Sequence, residues 1–213
     1  MKMEGRRRKM DKMTKEKISI KLREEEDWVR FPLAIGPIVI VTTVNKRNVP
    51  NAAPIACVTP AAAADPPMLI FTCNIKHDTT RNIFETEQFV VNIPGAEIVD
   101  RLMITAKSFP YGVNEIEKAG LTAMPSITVK PPRIKECRAH IECALDSHKT
   151  YGQEVIFMGQ VVSASLDKKL LEASEDEKYG QGWEMFTLGP DKYATLADGK
   201  MLPSSPEIKP SKQ

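Results

Sequence analysis

The sequence has little net charge and few cysteines or histidines, and each shortage narrows the functions that it can support. Thirty Lys and Arg residues are offset by twenty-eight Asp and Glu, which leaves a formal charge of +2 over 213 residues. Nucleic-acid binding is therefore not expected. The four cysteines form no C-x-x-C pair and share no metal-ligand spacing with the three histidines. We predict no metal site, and we expect the cysteines to be reduced and mostly packed.

Long apolar runs and a nucleotide-binding glycine motif are also missing. No run of about eighteen apolar residues occurs, so neither a membrane span nor a membrane partner is expected. Residues 1–17 are rich in Lys, Arg and Met but lack the apolar segment of a secretory signal, which favours a cytoplasmic protein. Arg6 to Lys9 could contact a nucleic acid or an acidic lipid surface, although a short solvated arm or an overcalled start site is the simpler interpretation. Gly180-Gln-Gly182 lacks the third glycine of G-x-G-x-x-G, so no dedicated dinucleotide-binding domain is predicted.

Runs of β-branched residues separated by turn residues dominate the rest of the chain. Residues 38–44 are entirely β-branched and end at Asn45-Lys-Arg-Asn48, which predicts a buried strand entering a hairpin with residues 51–58 as its partner. Four further strands are predicted, at residues 68–73, 88–93, 137–145 and 154–164. Short helices are predicted at residues 79–87, 96–107, 114–118 and 167–174. Because short turns link most of the strands, the pattern favours a mainly β fold, a closed or split antiparallel barrel, over a doubly wound sheet.

The segment at residues 76–83 predicts a helix start suited to a phosphate group. A helix N-terminus offers free backbone N–H groups to an anion, and Lys76 or His77 would add positive charge. Thr79 would add a hydroxyl and Asn82, about one turn later, an amide. We expect the carboxylate of Asp78 to cap the helix backbone rather than face the phosphate. The alternative is an ordinary capped helix start with His77 at the surface.

The strand predicted at residues 51–58 is rich in small side chains. Ala52, Ala53 and Ala56 would let a flat aromatic ring approach the backbone, while Pro54 removes a ladder donor and indicates an edge strand. Cys57 could contact such a ring or only fill space, and packing is favoured because no partner cysteine lies at a recognisable spacing. The alternative for the whole segment is a strand end packed tightly on a helix. Alternation places residues 51, 53, 55 and 57 on one face and residues 52, 54, 56 and 58 on the other.

Three short motifs in a fixed order carry a resemblance to a known family. They are N-x-A-P at residues 51–54, D-P-P at residues 65–67 and H-D-T-x-x-N-I at residues 77–83. Together they resemble the flavin reductase-like, FMN-binding split-barrel family, which includes flavoredoxins and the reductase components of two-component monooxygenases. The resemblance implies a Greek-key antiparallel split β-barrel with a few short flanking helices. We accordingly predict a basic N-terminal arm at 1–25, a flavin reductase-like domain at 26–197 and a C-terminal tail containing Pro, Ser and Lys at 198–213.

The resemblance also implies a function, namely transfer of electrons or hydride through bound FMN by an NAD(P)H:flavin oxidoreductase. A bound flavin itself accepts the hydride, so no catalytic side chain is predicted. Family reductases carry a histidine associated with the nicotinamide just before the G-x-V-V strand end, and the matching position here is Glu154. This departure gives weight to an alternative, a flavoredoxin-like FMN electron carrier reduced by a partner protein. Family members usually pair as homodimers, which is therefore expected here.

The predicted cofactor site follows from the same motifs. The family often has lysine at the position of His77, so which of Lys76 and His77 carries the charge stays open. Thr59 and Thr72 are predicted as further contacts of the flavin. The predicted FMN-binding residues are Asn51, Ala52, Ala53, Pro54, Ala56, Cys57, Thr59, Thr72, Lys76, His77, Thr79 and Asn82.

Overall fold

The computed structural model describes residues 38–63, 65–172, 181–189, 192–197 and 200–203. The predicted N-terminal arm and residues 204–213 of the predicted tail lie outside the described residues. Residues 200–203, which fall within that tail, form a strand paired with the strand at 192–197. The predicted boundary at 197/198 therefore falls between two paired strands.

The described residues contain twelve strands and a few short helices. The strands are β1 Val39–Val44, β2 Pro50–Ile55, β3 Thr59–Ala62, β4 Met68–Asn74, β5 Gln88–Ile93, β6 Ala123–Met124, β7 Arg133–Ile134, β8 Ala139–Tyr151, β9 Glu154–Leu166, β10 Gln181–Gly189, β11 Lys192–Ala197 and β12 Lys200–Pro203. The helices are α1 Asp78–Thr86, α2 Val99–Thr105, α3 Glu115–Lys118 and α4 Lys168–Glu172, with a 3-10 turn at Ala96–Ile98 before α2.

Seven strands form one antiparallel sheet in the order β2-β1-β5-β8-β9-β4-β3. If this sheet were flat, its edge strands β2 and β3 would lie about 29 Å apart, six strand spacings. Only residues 56–58 connect β2 to β3, and four Cα steps span at most about 15 Å. The sheet must therefore curl until its two edges approach each other. No ladder joins β2 to β3 among the described residues, so the barrel is split, and the predicted mainly β split-barrel fold is confirmed.

The buried strand β1 separates two hydrophobic cores. Its β-branched side chains are buried at every position, as its sequence predicts. Ile40 points into a core that it shares with Leu102 of α2 and Ile116 of α3. Val41 points into the core on the other face of the sheet, which contains the aromatic rings of β4, β5 and β9. The first core thus fixes α2 and α3 to the sheet, and the second, which also contains Ile83 of α1, fills the barrel.

A glycine of β9 makes room for the aromatic packing inside the barrel. The rings of Phe71 and Phe89 meet edge to face with centroids 5.2 Å apart. A Cβ atom at Gly159 would lie 2.3 Å from the Phe89 ring, so only glycine leaves room for that ring in this position.

The main departure from the predicted strands lies after β2. The predicted strand at 51–58 ends at Ile55, and the chain then crosses to form β3 at Thr59–Ala62. All four residues of β3 are exposed, so its sequence shows no alternation of apolar and polar residues. For this reason the sequence did not predict the strand. Strands β10–β12 were also not predicted, because Gly180-Gln-Gly182 and Gly189-Pro190 interrupt the apolar pattern.

Candidate functional site

A cavity of about 360 Å³ opens between β2, the start of α1 and the segment that follows α2. Two of its walls come from the predicted segments, and they contribute Asn51, Ala52, Ala53, Pro54, Lys76, His77, Asp78 and Thr79. The third wall, which the sequence did not predict, contributes Thr105, Ala106, Lys107, Ser108, Phe109 and Glu115. The fold therefore joins the small-residue strand and the polar helix start in a single cavity.

Strand β2 forms its wall as an edge strand. Among the strands that the structure describes, it pairs only with β1, with Ala52 opposite Thr42 and Pro54 opposite Ile40. Pro54 is tolerated because the outer edge of the strand has no neighbouring ladder. As predicted, the proline marks an edge, and backbone groups along that edge can face a ligand.

The start of α1 differs from the prediction in its cap. The N-cap residue is His77, whose side chain makes no capping hydrogen bond. The prediction that Asp78 caps the helix is wrong, because Asp78 is itself the first helical residue and His77 occupies the N-cap position. Burial raises the pKa of Asp78, and the charges of Arg81 and His77 oppose that rise. The helix start therefore faces the cavity without a side-chain cap from its N-cap residue.

Positive and negative groups share the cavity wall. Lys76, His77 and Lys107 are exposed, and within the described residues neither lysine forms an ion pair with a carboxylate. The His77 Nδ1 lies 3.6 Å from the sulfur of Cys73, so this ring is turned towards β4. Lys76 is thus the freer of the two predicted cationic groups.

Glu115 is the site residue that the sequence analysis missed. It is the first residue of α3, is only 7% exposed, and its Oε2 accepts a hydrogen bond of 2.9 Å from the Ala52 N–H. The pKa of Glu115 is raised to about 7, chiefly by burial. The hydrogen bond from the Ala52 N–H opposes this rise, and the Asp78 carboxylate adds to it. The helix was predicted from the capping residue Asn114, but no local signal indicates that its first side chain faces β2.

Asn51 links Glu115 to Thr79 across the cavity wall. Its amide lies 3.2 Å from Thr79 Oγ1 and 3.1 Å from Glu115 Oε2. The two terminal atoms of an amide can be exchanged, and the two orientations make different sets of hydrogen bonds here. All three side chains are more than nine-tenths buried.

The other predicted contacts lie away from this cavity. Asn82 is buried and donates a hydrogen bond of 3.0 Å to Thr43 Oγ1 on β1. Ala56 packs against the core between the sheet and the helices. Cys57 accepts a hydrogen bond from the Thr72 N–H at 3.3 Å, and both residues are exposed, as is Thr59. None of these five residues lines the cavity.

Glu154 stabilises the turn that carries Lys76. It accepts a hydrogen bond of 2.9 Å from Asn74 Nδ2, and Asn74 Oδ1 accepts one of 3.1 Å from the Lys76 N–H. Glu154 itself does not line the cavity. The position matched to the family histidine thus has a structural contact with the turn between β4 and α1.

A second, smaller cavity lies on the other side of α1. Its volume is about 270 Å³, and its lining residues are Asn45, Lys46, Arg47, Arg81, Glu85 and Tyr111. The Arg81 guanidinium stacks over the Tyr111 ring at 3.7 Å and pairs with Glu85, so these side chains satisfy one another. None of the predicted site residues lines this smaller cavity.

Comparison with known proteins identifies the family. Residues 33–182 match the family model of the flavin reductase like domain. The chain belongs to the flavin reductase-like family. A protein of Aquifex aeolicus (strain VF5) is 34% identical to this chain over 190 residues, which make up 84% of this chain and 95% of the relative.

Solved structures agree with this flavin reductase-like assignment. Nitrilotriacetate monooxygenase component B from Bacillus cereus has a TM-score of 0.76 at 26% identity, covering 85% of this chain and 96% of that one. Flavoredoxin from Methanosarcina acetivorans has a TM-score of 0.69 at 23% identity, covering 86% and 92%. The second likeness supports the fold alone.

Two other kinds of feature are absent from the described residues. No helix in the described ranges is long and apolar enough to cross a membrane. Within the same ranges, no group of three or more His, Cys, Asp or Glu side chains is placed to hold a metal ion.

Proposed function

We propose that this chain is an FMN-binding oxidoreductase that transfers electrons or hydride through a flavin held in the 360 Å³ cavity. The observation that carries the proposal is the meeting, in one cavity, of a polar helix start and an edge strand of small residues. A phosphorylated aromatic cofactor needs both features, one for its anionic end and one for its flat ring.

The start of α1 fits the phosphate end of the cofactor. Thr79 supplies a hydroxyl, Lys76 an exposed ammonium group, and the first turn of the nine-residue helix supplies backbone N–H groups. Lys107, on the third wall, supplies a second ammonium group. These groups would hold a dianionic phosphate by charge-assisted hydrogen bonds.

Strand β2 fits the ring. Ala53 and Pro54 line the cavity with small, partly exposed side chains, so a flat ring could rest against the backbone. Among the described residues β2 pairs only with β1, so C=O groups along its outer edge are open to the polar edge of a flavin, whereas the Ala52 N–H is already donated to Glu115. When bound, FMN supplies the hydride and electron chemistry, and these residues bind and orient it.

The electron donor distinguishes two versions of this function. In the first, NAD(P)H reduces the flavin directly, as in an NAD(P)H:flavin oxidoreductase. In the second, the chain is a flavoredoxin-like carrier that a redox partner protein reduces. The hydrogen bond between Glu154 and Asn74 favours the carrier, because the residue at the family's histidine position is engaged within the chain. The similarity to a monooxygenase component B favours the first version.

We also propose a cytoplasmic homodimer. The edge strand β3 is exposed at all four positions, and an exposed edge strand is usually covered in the assembled protein. The four cysteines are free thiols, which fits a reducing compartment. Light scattering of the purified protein would measure the assembly.

The decisive experiment is reconstitution with FMN followed by an anaerobic reduction assay. We expect the purified protein to bind FMN and to turn yellow, with quenching of flavin fluorescence on titration. Addition of NADH or NADPH then separates the versions, since bleaching of the flavin identifies a reductase. Bleaching by a reduced partner protein alone identifies a carrier. Failure to bind FMN would contradict both.

A further inference from the structure

Asn51, Thr79 and Glu115 form a buried row of polar side chains on the cavity wall. Their exposed fractions are 5%, 1% and 7%. Asn51 lies in the middle, 3.2 Å from Thr79 Oγ1 and 3.1 Å from Glu115 Oε2. The charge of Glu115 therefore decides which way the amide of Asn51 faces.

An ionised Glu115 requires one arrangement. A carboxylate only accepts, so Asn51 must turn its Nδ2 towards Glu115 Oε2. Its Oδ1 then accepts from the Thr79 hydroxyl at 3.2 Å and from the Ala52 N–H at 3.1 Å. The only proton of the Thr79 hydroxyl is used within the wall, and none remains for a ligand.

A neutral Glu115 permits the opposite arrangement. Its carboxyl O–H can donate to Asn51 Oδ1, while Asn51 Nδ2 donates to Thr79 Oγ1 at 3.2 Å. The Thr79 hydroxyl now accepts within the wall, and its proton is free to donate into the cavity. In this arrangement Asn51 Nδ2 lies 3.1 Å from the Ala52 nitrogen and cannot accept from it, so the Ala52 N–H donates to Glu115 Oε2 alone.

We propose that Glu115 is a positioning residue for the phosphorylated ligand, which acts through Asn51 to turn the Thr79 hydroxyl into a donor towards that ligand's phosphate. The neutral form of Glu115 presents the donor, and the ionised form withdraws it. This inference rests on the proposed function, because it takes the phosphate of FMN as the group that Thr79 binds.

Charged groups of both signs lie around Glu115. Asp78 faces it from α1 with a second carboxylate, while Lys76 and His77 precede α1 and Lys107 follows α2 with positive groups. Burial and Asp78 raise the pKa of Glu115 to about 7, so both forms are populated near neutral pH. A dianionic phosphate entering the cavity would favour the neutral form further, because neutralisation removes a repulsion.

The dissociation constant of FMN as a function of pH tests the inference. We would measure it between about pH 6 and pH 9 for the natural chain, for Glu115→Gln and for the control Glu117→Gln, an exposed carboxylate on the same helix. Glutamine keeps the acceptor for the Ala52 N–H and can donate to Asn51 Oδ1, so it imitates neutral Glu115. The natural chain and Glu117→Gln should lose affinity up to about tenfold per pH unit above the pKa of Glu115, and Glu115→Gln should not.

Riboflavin, which lacks the phosphate, separates this effect from a general disturbance of the cavity. The ratio between the dissociation constants of the natural chain and of Glu115→Gln should change with pH for FMN and stay constant for riboflavin. Use of the ratio also cancels the titration of the FMN phosphate, which occurs near pH 6. Parallel pH profiles for the natural chain and Glu115→Gln would overturn the inference while leaving FMN binding intact.

Calorimetry provides a second test that needs no variant. FMN titrations at pH 8 in two buffers of different ionisation enthalpy measure the protons taken up, and we expect uptake of up to about one proton per FMN. No uptake would overturn the inference. If FMN binds to none of the proteins at any pH, the proposed function fails first, and that result differs from binding without proton uptake.

Discussion

The two ends of one short sequence segment, Asn51 to Thr59, have opposite fates in the fold. At the first end, Asn51 and Ala53 line the large cavity, and Asn51 contacts Thr79 and Glu115. At the other end, Cys57 is exposed and contacts Thr72 on β4, away from the cavity. Both ends were predicted to contact the same flavin. The fold divides them because β2 stops at Ile55 and the chain crosses to the other edge of the sheet.

This difference shows that residues close together in a sequence motif need not line the same site. A strand carries its side chains along one sheet edge only as far as its ladder continues. We call the first end, with Thr79 and Glu115, the cavity end, and the contact of Cys57 with Thr72 the far end. If the cavity end holds the cofactor, substitutions there should have larger effects than any at the far end.

The largest expected effect comes from Glu115→Gln and concerns stability. The pKa of Glu115 is about 7 in the folded chain against an ordinary value of 4.5, so the folded state retains the proton over this interval. The free energy of unfolding should therefore fall as pH rises from 4.5 to 7, and the loss is complete above pH 7. At pH 8 the variant should be more stable by up to about 3 kcal/mol, measured by urea unfolding.

The exposed Glu117 supplies the control for that measurement. Glu117→Gln should leave the pH dependence of unfolding unchanged, because its carboxylate is exposed in the folded chain. If the natural chain and Glu115→Gln were equally stable both at pH 5 and at pH 8, the Glu115 carboxylate would not be held in a dry environment.

The sequence was sufficient for the fold because local signals and packing agree in six strands of the large sheet, namely β1, β2, β4, β5, β8 and β9. The β-branched run at 38–44 predicts β1, and the strand predicted at residues 88–93 matches β5 residue for residue. The edge strand β3 could not be predicted, since its four residues are all exposed and begin with Thr59-Pro60. Its position depends on how far the whole sheet curls, which no local pattern records.

The candidate site was predictable only where it follows from consecutive residues. Lys76, His77 and Thr79 lie together because they begin one helix, and Ala52 to Pro54 because they share one strand. Glu115 reaches the cavity through the packing of α3 on β2, 63 residues away from Ala52. Asn82 also depends on packing, because its amide donates to Thr43 on β1, a partner 39 residues away in the sequence.

The next largest effect separates Thr79 from Asn82 on the same helix. Thr79→Ala should weaken FMN binding by about 1 to 3 kcal/mol, since a donor to a charged oxygen is lost. Asn82→Ala should lower the free energy of unfolding by about 1 to 3 kcal/mol, because it leaves Thr43 without its partner. The Asn82→Ala substitution should not change the dissociation constant of FMN. Fluorescence titration and urea unfolding of both variants measure the two effects.

Riboflavin titration again supplies the check. Thr79→Ala should bind riboflavin as the natural chain does, because the lost contact is to the phosphate. Weaker FMN binding by Asn82→Ala than by Thr79→Ala would mean that the phosphate approaches the opposite side of α1.

A smaller effect is expected from Lys107→Ala on the third wall. The ammonium group is exposed, so solvent and salt screen its attraction for a phosphate. FMN binding should weaken by about 0.2 to 1 kcal/mol at low salt, and by less as salt is added. Titrations at two salt concentrations measure this, with Lys118→Ala as the control because Lys118 is exposed on α3 and does not line the cavity.

The smallest effect should come from the far end, and it tests the comparison most directly. Cys57→Ala removes a sulfur that accepts from the Thr72 N–H at 3.3 Å, but both residues are exposed and water can replace the lost acceptor. The dissociation constant of FMN should therefore change by less than about 0.5 kcal/mol, with the same result for Thr72→Val. If either variant weakens FMN binding more than Thr79→Ala does, the ring must extend beyond Ile55 towards β4. The cavity end alone would then be too short to hold the cofactor, and both edges of the split barrel would share it.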